Sequence, residues 1–149
     1  MRMSKQIVVT DWIKEKPRIG SFLKLTLSSD ERRTLRGKRL TDCEQEIILQ
    51  LPRKGKLNDG DILSTNDSNF YIEIIAKTEN LIQISSKSKI ELIKTAYHLG
   101  NRHLEVEIEE NILLTKSDYV IENMLKNFDV EVINIKKKFF PETGAHSHE

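Results

Sequence analysis

Apolar and polar positions set two rhythms along this chain. Residues 7–10, Ile-Val-Val-Thr, form a short β-like run. Leu23, Leu25 and Leu27 fall at period two within residues 22–27, one face of a strand. Ser28-Ser29-Asp30 breaks that run, and the basic residues 32–40 follow as a strand with one solvated face. Residues 47–51 are a further strand, stopped by Pro52 because proline has no amide to donate. Asn58-Asp59-Gly60-Asp61 is a turn, Ile62-Leu63 a strand, Asn66-Asp67-Ser68-Asn69 a second turn, and residues 70–75 another strand. Short strands punctuated by turns predict a small all-β domain over residues 1–76.

Beyond residue 80 the rhythm changes. Residues 81–85 read as a strand. Ser88 with Glu91 three residues on resembles a capping box, and Ile90, Ile93, Ala96 and Tyr97 then fall at helical spacing up to Gly100. Residues 104–108 alternate as a strand, Asn111 turns the chain, and residues 112–115 return. Ser117 or Asp118 caps a second helix with the stripe Val120, Ile121, Met124, Leu125 and Phe128; Val130, Val132, Ile133 and Ile135 mark a last strand. The order strand, helix, strand, strand, helix, strand is that of a ferredoxin-like βαββαβ domain. The expected fold class is therefore α+β: an N-terminal β domain at 1–76, a ferredoxin-like domain at 77–138, and a flexible tail at 139–149. Pro141, Gly144 and the polar His146-Ser147-His148-Glu149 give that tail little to bury.

Composition narrows the function classes. A formal net charge of +1 gives no long-range pull toward phosphate polymers. The runs Arg32, Arg33, Arg36, Lys38, Arg39 and Lys136-Lys137-Lys138 leave an RNA- or ribosome-associated module as the alternative reading. The expected central strands carry no aromatics on which bases could stack, so no nucleic-acid partner is expected. No apolar run approaches the roughly 20 residues of a membrane span, and the first residues do not read as a secretory signal. Cys43 is the single cysteine, which fits a reducing cytoplasm and gives no thiolate cluster. No phosphate-binding loop and no nucleophile elbow are present, and Glu107, Glu109 and Glu110 read as a solvated strand edge. An enzyme is not expected.

Histidine placement carries the chemistry. The four histidines fall in two pairs: His98 and His103 at the junction of the first helix with the following strand, His146 and His148 in the tail. His103 lies past the helix stop, better placed than His98 for an exposed or shared site. His146 and His148, two apart, project to the same side of an extended chain and can chelate one ion together. A tail contributes poorly to a permanent structural zinc site, which wants four fixed ligands. It suits a site that gives its ion up. Imidazoles accept nickel, copper or zinc, and the residues alone do not choose among them.

The run Ala96-Tyr97-His98-Leu99-Gly100-Asn101-Arg102-His103 closely resembles the urease accessory proteins of the UreE type, which are nickel metallochaperones. Further matches are Leu51-Pro52-Arg53 with Gly60-Asp61-Ile62-Leu63, the stretch Asp118-Tyr119-Val120-Ile121-Glu122-Asn123-Met124-Leu125, and Phe140-Pro141-Glu142 with Gly144-Ala145-His146. The resemblance covers nearly the whole chain and is weakest before residue 20. It implies a β domain that binds a peptide or partner and a ferredoxin-like domain through which two copies form a homodimer. It also implies that His103 carries nickel, that His146 and His148 add ligands, and that His98 is secondary. The cargo would be Ni(II), with Zn(II) or Cu(II) as substitutes in vitro. The partners implied are apo-urease, the urease-maturation GTPase and other urease accessory proteins. The chain departs from some members in lacking a long histidine-rich tail, and in having Thr115-Lys116-Ser117-Asp118-Tyr119 where extra histidines stand.

Overall fold

The computed structural model describes residues 6–15, 17, 20–53, 55–67 and 69–143. The chain is mixed α+β, mostly strands with two helices, and divides into two compact units, residues 1–77 and 78–149.

In the first unit six strands form one sheet: β1 (Ile7–Ile13), β2 (Ser21–Leu27), β3 (Arg36–Leu40), β4 (Glu46–Gln50), β5 (Ile62–Thr65) and β6 (Phe70–Ala76), in the order β2-β6-β5-β1-β4-β3. The β1–β4 and β2–β6 pairs are parallel and the others antiparallel. The period-two leucines do what their spacing predicts: Leu25 and Leu27 are buried with Val9, Ile47, Leu49, Leu63, Ile72 and Ile74 in one apolar cluster. The 58–61 turn is fixed by its own carboxylates. Asp61 accepts from the Asn58 amide at 2.8 Å and the Trp12 indole at 3.1 Å, and Asp59 accepts from the Ala76 amide at 2.7 Å. Gly60 supplies the positive φ, 91°.

The basic segment differs from the single strand expected over 32–40. It opens as a 3-10 turn at Glu31–Arg33, and pairing begins only at Arg36. Arg32 is only 2% exposed, and its backbone carbonyl accepts from the Leu57 amide at 2.7 Å. Arg33 pairs with Asp30, and Lys38 lies 3.7 Å from Glu46. Of the run's basic side chains, Arg33 and Lys38 are therefore paired within the unit.

The second unit has β7 (Thr78–Ser85), α1 (Lys89–Asn101), β8 (Glu107–Ile108), β9 (Ile112–Lys116), α2 (Tyr119–Leu125) and β10 (Glu131–Lys138). Its strands form an antiparallel sheet ordered β10-β7-β9-β8. Both helices pack on one face, where Leu92, Ala96 and Leu99 of α1 and Ile121, Met124 and Leu125 of α2 meet Ile82, Ile84 and Leu113.

Of the stripe the spacing picks out on α1, Ala96 packs on the core and the rest does not. Ile90, Ile93 and Tyr97 are 57%, 63% and 63% exposed, while Thr95 and Leu99 are fully buried. The helix has two apolar faces, and Thr95 disguises the inner one. Its hydroxyl donates to the Glu91 carbonyl at 2.8 Å, so the residue sits in the core with its polar atom satisfied. Ser88 caps α1 by accepting from the Glu91 amide at 3.3 Å. The reciprocal half of a capping box is not made, because the Glu91 carboxylate accepts from the Asp129 amide instead. Asp118 caps α2 by accepting from the Val120 and Ile121 amides at 2.7 and 3.4 Å. Helix α2 stops at Leu125, and Val120, placed in its stripe by spacing, is 62% exposed.

Residues 139–142 are where a flexible tail was expected to begin, and the structure differs. Phe139 is fully buried against Leu81 and Leu114 on the sheet face opposite the helices. The Phe140 amide donates to the Glu107 carboxylate at 2.8 Å, and the Glu142 amide donates to the Val106 carbonyl at 2.8 Å. The segment runs from β10 at one edge to β8 at the other. Crossing three interstrand gaps of about 4.8 Å takes about four extended residues. Two adjacent phenylalanines read as the ragged end of a strand, whereas one of them closes a second core.

Candidate metal centre

The junction after α1 is built from backbone hydrogen bonds that end the helix. The Leu104 amide donates to the Leu99 carbonyl at 3.3 Å and the His103 amide to the Gly100 carbonyl at 3.0 Å. This 6→1 and 5→2 pair is a Schellman motif, completed by Leu99 and Leu104 meeting in the core. The helix thus runs through Gly100, the expected stop, and turns at His103. That residue occupies the position where glycine is usual, with φ 61°. Its side chain is exposed. A non-glycine residue in this conformation stores strain and is worth explaining.

His98, one turn earlier, is exposed but engaged. Its ring lies edge-on to Tyr97 at 5.4 Å and 5.1 Å from Phe128. His146 and His148 lie outside the described residues. Among the described residues, no three His, Cys, Asp or Glu side chains converge as a metal-binding set.

Glu107 is the residue whose surroundings sequence reasoning misplaced. Read as part of a solvated edge, it is 8% exposed and receives the Phe140 amide. Burial pushes its carboxyl above the ordinary carboxylate range; the Phe140 amide opposes this, Glu109 adds to it, and Lys137 lowers it. Glu109 itself stays on the edge, 3.2 Å from Lys137. The only sequence signal for Glu107 is its alternation with Val106, and that pattern places it on the solvent side.

Chemically, the second unit offers an exposed imidazole on a rigid corner. Beside it in the chain is the anchor at Val106, from which the last residues depart. An exposed imidazole of this kind is a donor available to a ligand from solvent.

Several known proteins are similar to this chain. Residues 79–149 match the family model described as UreE urease accessory protein, C-terminal domain. A protein of Prochlorococcus marinus strain MIT 9215, named urease accessory protein UreE, is 86% identical over 149 residues, covering 100% of both chains. One of the same name from Prochlorococcus marinus subsp. pastoris, strain CCMP1986, is 64% identical over 149 residues, covering 100% of this chain and 97% of its own. Another, from Synechococcus sp. strain WH7805, is 40% identical over 133 residues, covering 86% of this chain and 76% of its own. The class so defined is that of accessory chaperones, which are not enzymes. The chain belongs to the UreE family of urease accessory proteins, whose role lies in urease maturation.

Proposed function

We propose that the chain is a nickel metallochaperone, carrying Ni(II) as cargo between two copies of itself and delivering it for assembly of the urease active site. His103 from each copy supplies the first two ligands, and His146 and His148 add to them. His98 is a secondary donor, since its ring is held by Tyr97 and Phe128. The hand-over takes place in the cytoplasm, with apo-urease, the urease-maturation GTPase and its partner accessory proteins. The first unit serves as the domain that docks a partner.

The observation that carries this reading is His103 itself. It is exposed on a helix-ending corner whose backbone favours glycine, inside the run Gly100-Asn101-Arg102-His103. A histidine held at a position that favours glycine supports a role for its side chain. Three further features support the reading. The strand order β10-β7-β9-β8 with both helices on one face is consistent with a ferredoxin-like unit. The exposed Ile90, Ile93 and Tyr97 make an apolar stripe on the helix that ends at His103, which suits a self-complementary two-fold contact. The Glu142 anchor brings the tail back beside Val106. From there, the four residues to His146 span at most about 14 Å, and the three back to His103 at most about 10 Å. Against the nucleic-acid alternative, the helix-free sheet face is occupied by Phe139.

His103→Gly and His103→Ala should each abolish the tightest nickel binding in equilibrium dialysis of untagged protein, with circular dichroism unchanged. Tight binding retained in both variants would overturn the assignment of His103.

A further inference from the structure

The crossing segment has a fastener as well as a core. Phe139 fills the apolar side, but its burial alone does not fix where the chain goes next. The direction is set by two backbone donors. The Phe140 amide points at Glu107 and the Glu142 amide at Val106, both at 2.8 Å. The Val106 bond is main chain to main chain and continues the short β8 edge. The Glu107 bond is the one made by a side chain, from a carboxylate that is 8% exposed. A hydrogen bond to a charged acceptor is stronger than a neutral one, and a buried carboxylate left without it would be costly. Removing the Glu107 carboxylate therefore loosens the segment beyond Phe139, which keeps the Val106 bond.

We propose that Glu107 is a positioning residue for nickel binding: by holding the Phe140 amide, it fixes the point from which the tail leaves the second unit and so sets how the tail's histidines reach the metal. Glu107 does not touch the ion. It acts as an outer support does for a metal ligand, reducing the conformational freedom lost when the ion is bound. This rests on the reading of His146 and His148 as nickel ligands.

Coupling of this kind is reciprocal: if the docked segment favours nickel binding, nickel must stabilise the docked segment. Amide hydrogen exchange in the intact wild-type protein, with and without nickel(II), reads that directly. Exchange at Phe140 and Glu142 should slow on adding nickel by a larger factor than at the β7 amides. Glu107→Ala should make those two amides exchange fast without nickel. It should also weaken nickel binding by roughly 10- to 100-fold, the usual effect of removing an outer support. Glu107→Gln, which keeps an acceptor oxygen, should restore both. In a chain cut after Pro141, Glu107→Ala should have no further effect on nickel affinity. Unchanged exchange at Phe140 and Glu142 on nickel addition, with the truncation still weakening nickel binding, would overturn the role of Glu107 and leave the tail ligands standing. Truncation without effect on nickel would overturn the tail ligands, and the positioning role with them.

Discussion

At the scale of single residues, the candidate site is a conflict between backbone and side chain. His103 sits at φ 61° in a Schellman corner, where glycine pays no steric penalty. His103→Gly should therefore leave stability unchanged or raise it by up to about 1 kcal/mol, and His103→Ala should lie below it by a similar amount. Urea melts of the three proteins check this; a glycine variant much less stable than wild type would show that the imidazole has a structural role. Glu107 gives a second prediction, with a sign. Its folded carboxyl holds a proton above its ordinary 4.5. The native state therefore binds more protons than the unfolded chain just above that value, and stability falls as pH rises through the window. The penalty is absent below the ordinary value and fully present once folded Glu107 is ionised. Glu107→Gln removes it, so the stability of the variant relative to wild type should rise as the pH is raised above the ordinary carboxylate value. A difference that does not change with pH would contradict this. His103 was legible because it stands in a specific four-residue run. Glu107 was not, because its partner Phe140 lies 33 positions away and no local rhythm encodes that pairing.

Elements were easier to place than their faces. Period-two leucines located β2, and the caps at Ser88 and at Ser117 or Asp118 located both helix starts. The face of α1 was misread because helical spacing cannot rank two apolar stripes on one helix, and the inner stripe contains Thr95. The end of β10 was misread for a related reason: Phe139 looks like tail until the sheet's second face needs a lid. This divides the C-terminal segment into two parts with separable effects. Phe139→Ala, emptying a fully buried site, should cost about 3–5 kcal/mol. Deleting residues 142–149 leaves Phe139 and the Glu107 bond in place, and should cost far less stability while weakening nickel binding. Thermal melts and nickel titrations of the two variants check the division; equal destabilisation by both would contradict it.

For the whole molecule, the central claim is that a carrier's site is completed by association. A single imidazole such as that of His103 is a weak site, and a two-fold contact bringing its own copy beside it would double it without new sequence. The exposed stripe Ile90, Ile93 and Tyr97 is the surface the account assigns to that contact. Ile93→Asp should shift the protein toward monomer in light scattering and lose tight nickel binding in parallel, with the secondary structure retained. On the proposed reading, a site split between two copies and tail segments would also open easily, which is what delivery requires. The most direct test is the nickel stoichiometry of untagged protein, measured by calorimetry with the mass determined by light scattering on the same sample. One tight nickel per two chains in a dimer is expected; one tight nickel on each chain, or tight binding by a monomer, would show that the site is not shared.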